Sequence, residues 1–251
     1  MPPRPAPVDG VSTPSGSFPR TAVAEAAGVA WTDPRGVTRL RDLTLTLHPG
    51  ELARLAGVEG SGQHALLRLP PEVAFIPEDR HRDALLLDGS LVENLALRGA
   101  GARRGRIAWT GLARRAEGLI ARFDVRTGGG PSAAARALSG GNQQKFVVAR
   151  ELAGAASARA GAAGGLVDAA PALVVAENPT RGLDVRATAA VLDRLREARD
   201  AGSAVVVYSS DLDEVLALAD RVLVVYDGRT TMLPPDRERV GQAMLGALAD
   251  G

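Results

Sequence analysis

The chain has 251 residues, 45% hydrophobic and 24% charged, enough to bury one sizeable core or a core with a small satellite domain. Its 30 basic and 29 acidic residues leave a net charge of +1, which gives no electrostatic case for nucleic acid or an anionic membrane as a partner. With no cysteine, disulfides and thiolate metal sites are excluded, and no apolar run approaches the ~18 to 20 residues of a membrane span.

Six of the first twenty residues are proline, so residues 1–22 read as a disordered leader and not as a signal peptide. The stretch VTRLRDLTLTLHPGELARLAG predicts two strands around a His-Pro-Gly turn. Leu43, Leu45 and Leu47 alternate before the turn, and Leu52, Leu55 and Ala56 lead into a glycine-rich stretch, GVEGSGQH, at 57–64. QHALLRL then predicts a short helix ended by Pro70-Pro71, and VAFI a strand closed by Pro77-Glu78-Asp79-Arg80. From Ser90 to Asp124 the period is helical, with LVENLAL and GLARRAEGLIARF on either side of the linker RGAGARRGR. Residues 90–137 therefore read as a helical subdomain inserted in an α/β frame.

After a Gly-Gly-Gly-Pro break, Ser139 to Asn142 predict a helix entry and Phe146 to Leu152 a buried helix. Residues 153–170 are low-complexity Ala/Gly, a loop or frayed helix extension with no site in it. The strand ALVVA, the turn ENPTRGLD, a helix from Val185 to Arg199, the strand AVVVY, the helix DLDEVLALA and the strand RVLVVY complete the chain. Apolar strands alternating with helices predict a mostly parallel sheet covered on both faces.

Three stretches carry chemistry. In the first, Gly57 and Gly62 have the G-x-x-x-x-G spacing of a phosphate cradle between a strand and a helix, but Gln63 and His64 stand where Lys and Ser or Thr should follow. By itself the spacing serves a phosphate or a tight turn equally well. The second is Leu138-Ser139-Gly140-Gly141-Asn142-Gln143-Gln144, where a hydroxyl and glycine amides at a helix start can bind a phosphate. An N-cap with a glycine turn accounts for Ser139 alone. The third is LVVAENPTRGLD, a strand ending in Glu177 and Asn178 and followed by a turn that ends in Asp184.

LSGGNQQ resembles the signature of ATP-binding cassette proteins, and LVVAENPTRGLD resembles their Walker B strand and D-loop. The order of glycine loop, PEDR, signature, Walker B and D-loop is similar to theirs over residues 27–230. PEDR, LSGGNQQK and PTRGLDV together resemble the second cassette of the tandem ATPase subunits of bacterial simple-sugar and nucleoside importers. The resemblance implies a P-loop NTPase of the cassette type over 23–251, α/β, with a mostly parallel core, the helical subdomain and an antiparallel β-subdomain. That β-subdomain is reduced, because only 13 residues separate His64 from Glu78.

The resemblance also implies the site. ATP contacts fall on Gly57, Glu59, Gly60, Ser61, Gly62, Gln63 and His64, on Glu78 in a Q-loop position, on Ser139, Gly140, Gly141, Asn142 and Gln143, and on Asp184. His64, Glu78 and Glu177 make a poor set for Mg²⁺, which prefers oxygen ligands. Trp31 is open to adenine stacking or to the core. Catalytic positions are degenerate: Glu177 keeps a carboxylate at the Walker B Asp, Asn178 replaces the general base, and Ser210 replaces the switch histidine. Lys145 is the only lysine, so no other lysine in this chain can stand in for the one absent at Gln63. Hydrolysis at this loop is expected to be poor, since losing a base typically forfeits ~10² to 10⁴ in rate.

Cassettes of the family pair head to tail, so an intact signature here is expected to complete a partner cassette's site. Transmembrane permease subunits, a solute-binding protein in the same system, and a peripheral place on the cytoplasmic face of the membrane follow from the resemblance. The alternative is a regulatory or structural cassette that no longer turns over ATP. A soluble cassette of translation or DNA repair is disfavoured by the near-neutral charge.

Overall fold

The computed structural model describes residues 24–32, 38–57, 73–98, 100, 105–159, 171–211, 216 and 220–247. In chain order the strands are β1 (Ala24–Thr32), β2 (Thr38–Leu47), β3 (Leu52–Gly57), β4 (Ala74–Ile76), β5 (Leu173–Glu177), β6 (Ala204–Tyr208), β7 (Arg221–Tyr226) and β8 (Arg229–Leu233). The helices are α1 (Arg80–Asp83), α2 (Leu91–Leu97), α3 (Trp109–Arg122), α4 (Gly140–Arg159), α5 (Val185–Asp200) and α6 (Arg237–Met244). The chain divides into two compact units, one of Met1–Val73, Ala172–Asn178 and Arg199–Gly251, the other of Ala74–Pro171 and Pro179–Ala198.

The first unit is built on a sheet in the order β1-β2-β8-β7-β3-β6-β5. β3 pairs in parallel with both β6 and β7, and β5 pairs in parallel with β6. Every residue of β5 and β6 is buried, as their unbroken apolar runs require of strands covered on both faces. β7 and β8 are antiparallel, as are β1 and β2, whose register shifts between Ala26 and Thr32. On one face Ala56, Val222 and Val224 pack against Val240 and Ala243 of α6. The His-Pro-Gly turn forms, with Gly50 at φ +72, and His48 N–H donates to the Glu51 carboxylate at 3.0 Å. The strands it joins are not neighbours: β2 lies between β1 and β8, whereas β3 lies between β7 and β6.

The second unit is helical apart from β4, which packs on α4. The Ser90 side chain accepts from Glu93 N–H while Glu93 reaches back to Ser90 N–H, a capping box that starts α2. Asn94, fully buried, donates to the carbonyls of Leu86, Gly89 and Ser90 and accepts from Leu86 N–H, so its amide shapes the preceding loop. Phe146, Val147, Val148 and Ala149 of α4 are buried as the sequence predicts. Among them lies a charged pair, Arg150 with Glu151, and Arg150 also donates to Ala84 O at 2.6 Å. α3 ends at Phe123, where the Arg194 guanidinium stacks at 4.8 Å from the ring centre and donates to Arg122 O at 2.6 Å.

The expected helices QHALLRL and DLDEVLALA fall outside the described residues but for Asp211 and Leu216, as does 160–170 of the Ala/Gly segment. α4 runs to Arg159, so the first part of that segment extends the helix. β1, β8 and α6 have no counterpart among the elements read from sequence.

Candidate functional site

In the first unit the carboxyl ends of the parallel strands collect one group of motif residues. Leu55 of β3 and Glu177 of β5 both align with Tyr208 of β6. Gly57, Glu177, Asn178 and Ser210 therefore leave the sheet along one edge, where open parallel sheets bind their ligands. Glu59, Gly60, Ser61, Gly62, Gln63 and His64 lie outside the described residues.

Glu177 is buried, and Asn178 is buried with φ +39, a left-handed conformation that asparagine adopts more readily than most residues. Its N–H donates to Tyr208 O at 2.8 Å, and its side-chain Oδ1 accepts from Ser210 N–H at 2.8 Å. The carboxamide thus ties the end of β5 to the end of β6. Its oxygen is spent on a backbone donor, and an amide cannot take a proton as a general base does. Beside it the buried Ser209 hydroxyl accepts from Asp211 N–H at 3.1 Å, which shapes the turn that carries Ser210.

In the second unit the signature stretch opens α4. Gln143 N–H donates to Ser139 O at 2.8 Å, and Asn142 Nδ2 donates to Ser139 Oγ at 2.8 Å. Asn142 Oδ1 accepts from Arg126 N–H at 2.9 Å, which anchors the stretch to the start of the loop that follows α3. The first amides of a helix have no acceptor within it, and the positive end of a helix favours an anion. Ser139, exposed, together with the amides of Gly140 and Gly141 thus fits a phosphate group. Both glycines also lie close to a neighbouring side chain. A Cβ on Gly140 would meet Arg80 Nη2 at 2.9 Å, and one on Gly141 would meet the Ala187 Cβ at 3.1 Å.

Gln143 departs from its expected role. It is 5% exposed, and its Nε2 donates inward to Ala135 O at 3.1 Å. Its Oε1 accepts from Arg80 Nε at 3.3 Å and lies 2.8 Å from His81 Nε2. The side chain holds the start of α4 against the segment after β4. Arg80 and His81 are the partners that sequence reasoning missed; the polar run directly after PED was the available signal.

Asp184 caps α5, its Oδ1 accepting from Ala187 N–H at 2.8 Å. Glu78 forms an ion pair with Arg181, which links the PEDR segment to the turn before α5. Asp79 caps α1 through His81 N–H and Arg82 N–H. Of the expected Mg²⁺ set, His64 lies outside the described residues; among the described residues no group of three or more His, Asp or Glu side chains could hold a metal ion. Glu78 is engaged by Arg181.

No family model matches the chain. It is 32% identical over 264 residues to the nucleoside import ATP-binding protein NupA of Lactococcus lactis subsp. cremoris, covering 91% of this chain and 49% of that protein. It is 34% identical over 267 residues to the guanosine import ATP-binding protein NupO of Bacillus subtilis, covering 93% and 49%. A dimeric bacterial ABC transporter cassette superposes with a TM-score of 0.64 at 20% identity, over 84% of this chain and 97% of that one. The chain is an ATP-binding cassette domain. This cassette spans about half the length of the curated relatives it matches. No helix among its described residues is long and apolar enough to cross a membrane.

Proposed function

We propose that this cassette is the ATP-binding part of a bacterial importer of simple sugars or nucleosides, and that it works in a dimer with a second cassette. In this reading its own glycine loop is degenerate, while Ser139, Gly140 and Gly141 complete the site of the partner. Permease subunits and an external solute-binding protein complete the system, with the cassette at the cytoplasmic face. The carrying observation is the contrast at the two motif ends. Asn178, at the position of the base, spends its amide oxygen on Ser210 N–H, whereas Ser139 stands exposed at an intact helix start.

The mechanism assigns each of these residues one task. The Ser139 hydroxyl and the α4 amides bind and orient the terminal phosphate of ATP held on the partner's loop. Asp184 and the cap it forms hold the start of α5 against Gly141. Bound ATP supplies the phosphoanhydride whose cleavage reopens the dimer. Asn178 takes no proton, so the loop on this chain holds nucleotide without turnover.

ATPase turnover is measured for this chain alone and mixed with a cassette that carries a lysine-bearing glycine loop. The expectation is little activity alone, activity in the mixture, and at least a tenfold loss with Ser139→Arg. Robust turnover by the isolated chain refutes the reading of Asn178. A mixture as inactive as the chain alone favours the non-hydrolytic regulatory cassette, for which Asn178 is also the supporting observation.

A further inference from the structure

Between Glu78 and Asp83 the chain carries five charged side chains, and four of them are engaged. Glu78 pairs with Arg181, Arg82 pairs with Asp83, and Asp79 accepts from the N–H groups of His81 and Arg82. Arg80 differs. Among the described residues its guanidinium makes a single hydrogen bond, from Nε to Gln143 Oε1, and its Nη groups meet no acceptor and no carboxylate. The side chain is half-buried, where a cation without a counter-charge is costly.

Its place is fixed by a buried amide. Gln143 Nε2 donates to Ala135 O at 3.1 Å, which turns Oε1 towards Arg80 and sets His81, 2.8 Å away, with its proton on Nε2. With Nε anchored there, the Nη donors lie against the signature stretch: a Cβ on Gly140 would stand 2.9 Å from Arg80 Nη2 and 3.9 Å from its Cζ. Gly140 is the first residue of α4, and the exposed Ser139 directly precedes it. All of these residues belong to the second unit.

The Ser139 hydroxyl and the α4 amides are neutral donors, whereas a terminal phosphate brings negative charge. A guanidinium meets that charge with a planar fork, and such charge-assisted bonds are roughly twice as strong as neutral ones. We propose that Arg80 is a phosphate-binding residue of the signature site, its Nη groups donating to the terminal phosphate that Ser139, Gly140 and Gly141 receive. Gln143 and His81 act through it as positioning residues, which gives the inward turn of Gln143 a task. The proposal rests on the reading of the signature as half of a partner's site, and adds to it a cation that LSGGNQQ itself lacks.

The whole chain is mixed with a second cassette that has a lysine-bearing glycine loop and its general base replaced by glutamine, and ATP-driven association is followed by analytical ultracentrifugation. Arg80→Gln is expected to raise the ATP concentration for half-maximal association about tenfold. Arg80→Lys, which keeps the charge without the fork, should raise it less. In the ATP-loaded mixture with this chain unaltered, the Arg80 Nε–H resonance is expected to move together with the Gly140 and Gly141 amides in heteronuclear NMR, a measurement that needs no variant to fold. An unchanged ATP requirement in Arg80→Gln beside loss of association in Ser139→Arg, or glycine amides that move without Arg80, would overturn the proposal and leave the signature reading intact. So would equal weakening by Arg80→Lys and Arg80→Gln with a matching fall in Tm, which marks a structural role. No ATP-driven association at all, or association untouched by Ser139→Arg, overturns the signature reading and the proposal with it.

Discussion

At Asn178 the backbone turns left-handed, and one side chain spans two strand ends through a hydrogen bond to Ser210 N–H. Asn178→Ala removes that acceptor and the residue type that best tolerates the conformation. It is expected to cost about 1–3 kcal/mol in urea-induced unfolding, with the midpoint lowered. Two carboxyls make the acid behaviour specific. The Ser90 backbone N–H, and then its hydroxyl, hold the Glu93 carboxyl below its ordinary value. The hydrogen bond from Lys145, reinforced by its charge, does the same for Asp124. Folded values below unfolded ones give stability that is present above the unfolded values, near 4, and lost as the pH falls through the depressed ones. Glu93→Gln and Asp124→Asn should therefore flatten the fall of Tm below about pH 4 and leave its slope near neutrality unchanged. Sequence reasoning found Asn178 as a departure from the family's chemistry. It had no access to φ, and so missed the structural reason that favours asparagine there.

At the scale of elements, the start of α4 is fitted to its neighbours by the absence of side chains. Gly141 lies where a Cβ would meet Ala187 on α5, and Gly140 where one would meet the flexible end of Arg80. Gly141→Val is expected to force the two helix starts apart and to cost about 1–3 kcal/mol, measured by thermal unfolding. Gly140→Val, whose neighbour is a guanidinium that can swing away, should cost less. The elements legible in the sequence were those with a long, one-sided signal. β5, β6 and β7 are runs of Val and Leu, and the apolar period of α3 is carried by Leu112, Ala116 and Leu119. β1, rich in alanine, and β8, half-exposed with two threonines, offer neither an apolar run nor strict alternation. They exist because a partner strand supplies the hydrogen bonds, and that is not a local property.

For the whole molecule, the decisive contacts join residues far apart in the chain. Leu52 N–H donates to the Asp220 carboxylate at 2.9 Å, and Arg221 pairs with Glu51, each across more than 160 positions. Such contacts place β3 between β6 and β7, so that Gly57, Asn178 and Ser210 share one edge. The sequence by itself determined the motif order, the predicted mostly parallel core, the helical insertion and the chemical identity of each departure, because these depend on residue type and spacing. Only the tertiary structure decided that the strands around the His-Pro-Gly turn do not pair, that Gln143 faces inward to Arg80 and His81, and that Glu78 is engaged by Arg181. It also decided that Arg98, paired with Glu151, and Arg115, donating to Ala153 O, are spent on the packing of α4. The physical reason is the same in each case: a polar group's role depends on which partner comes within about 3 Å, and here each partner lies on a distant part of the chain.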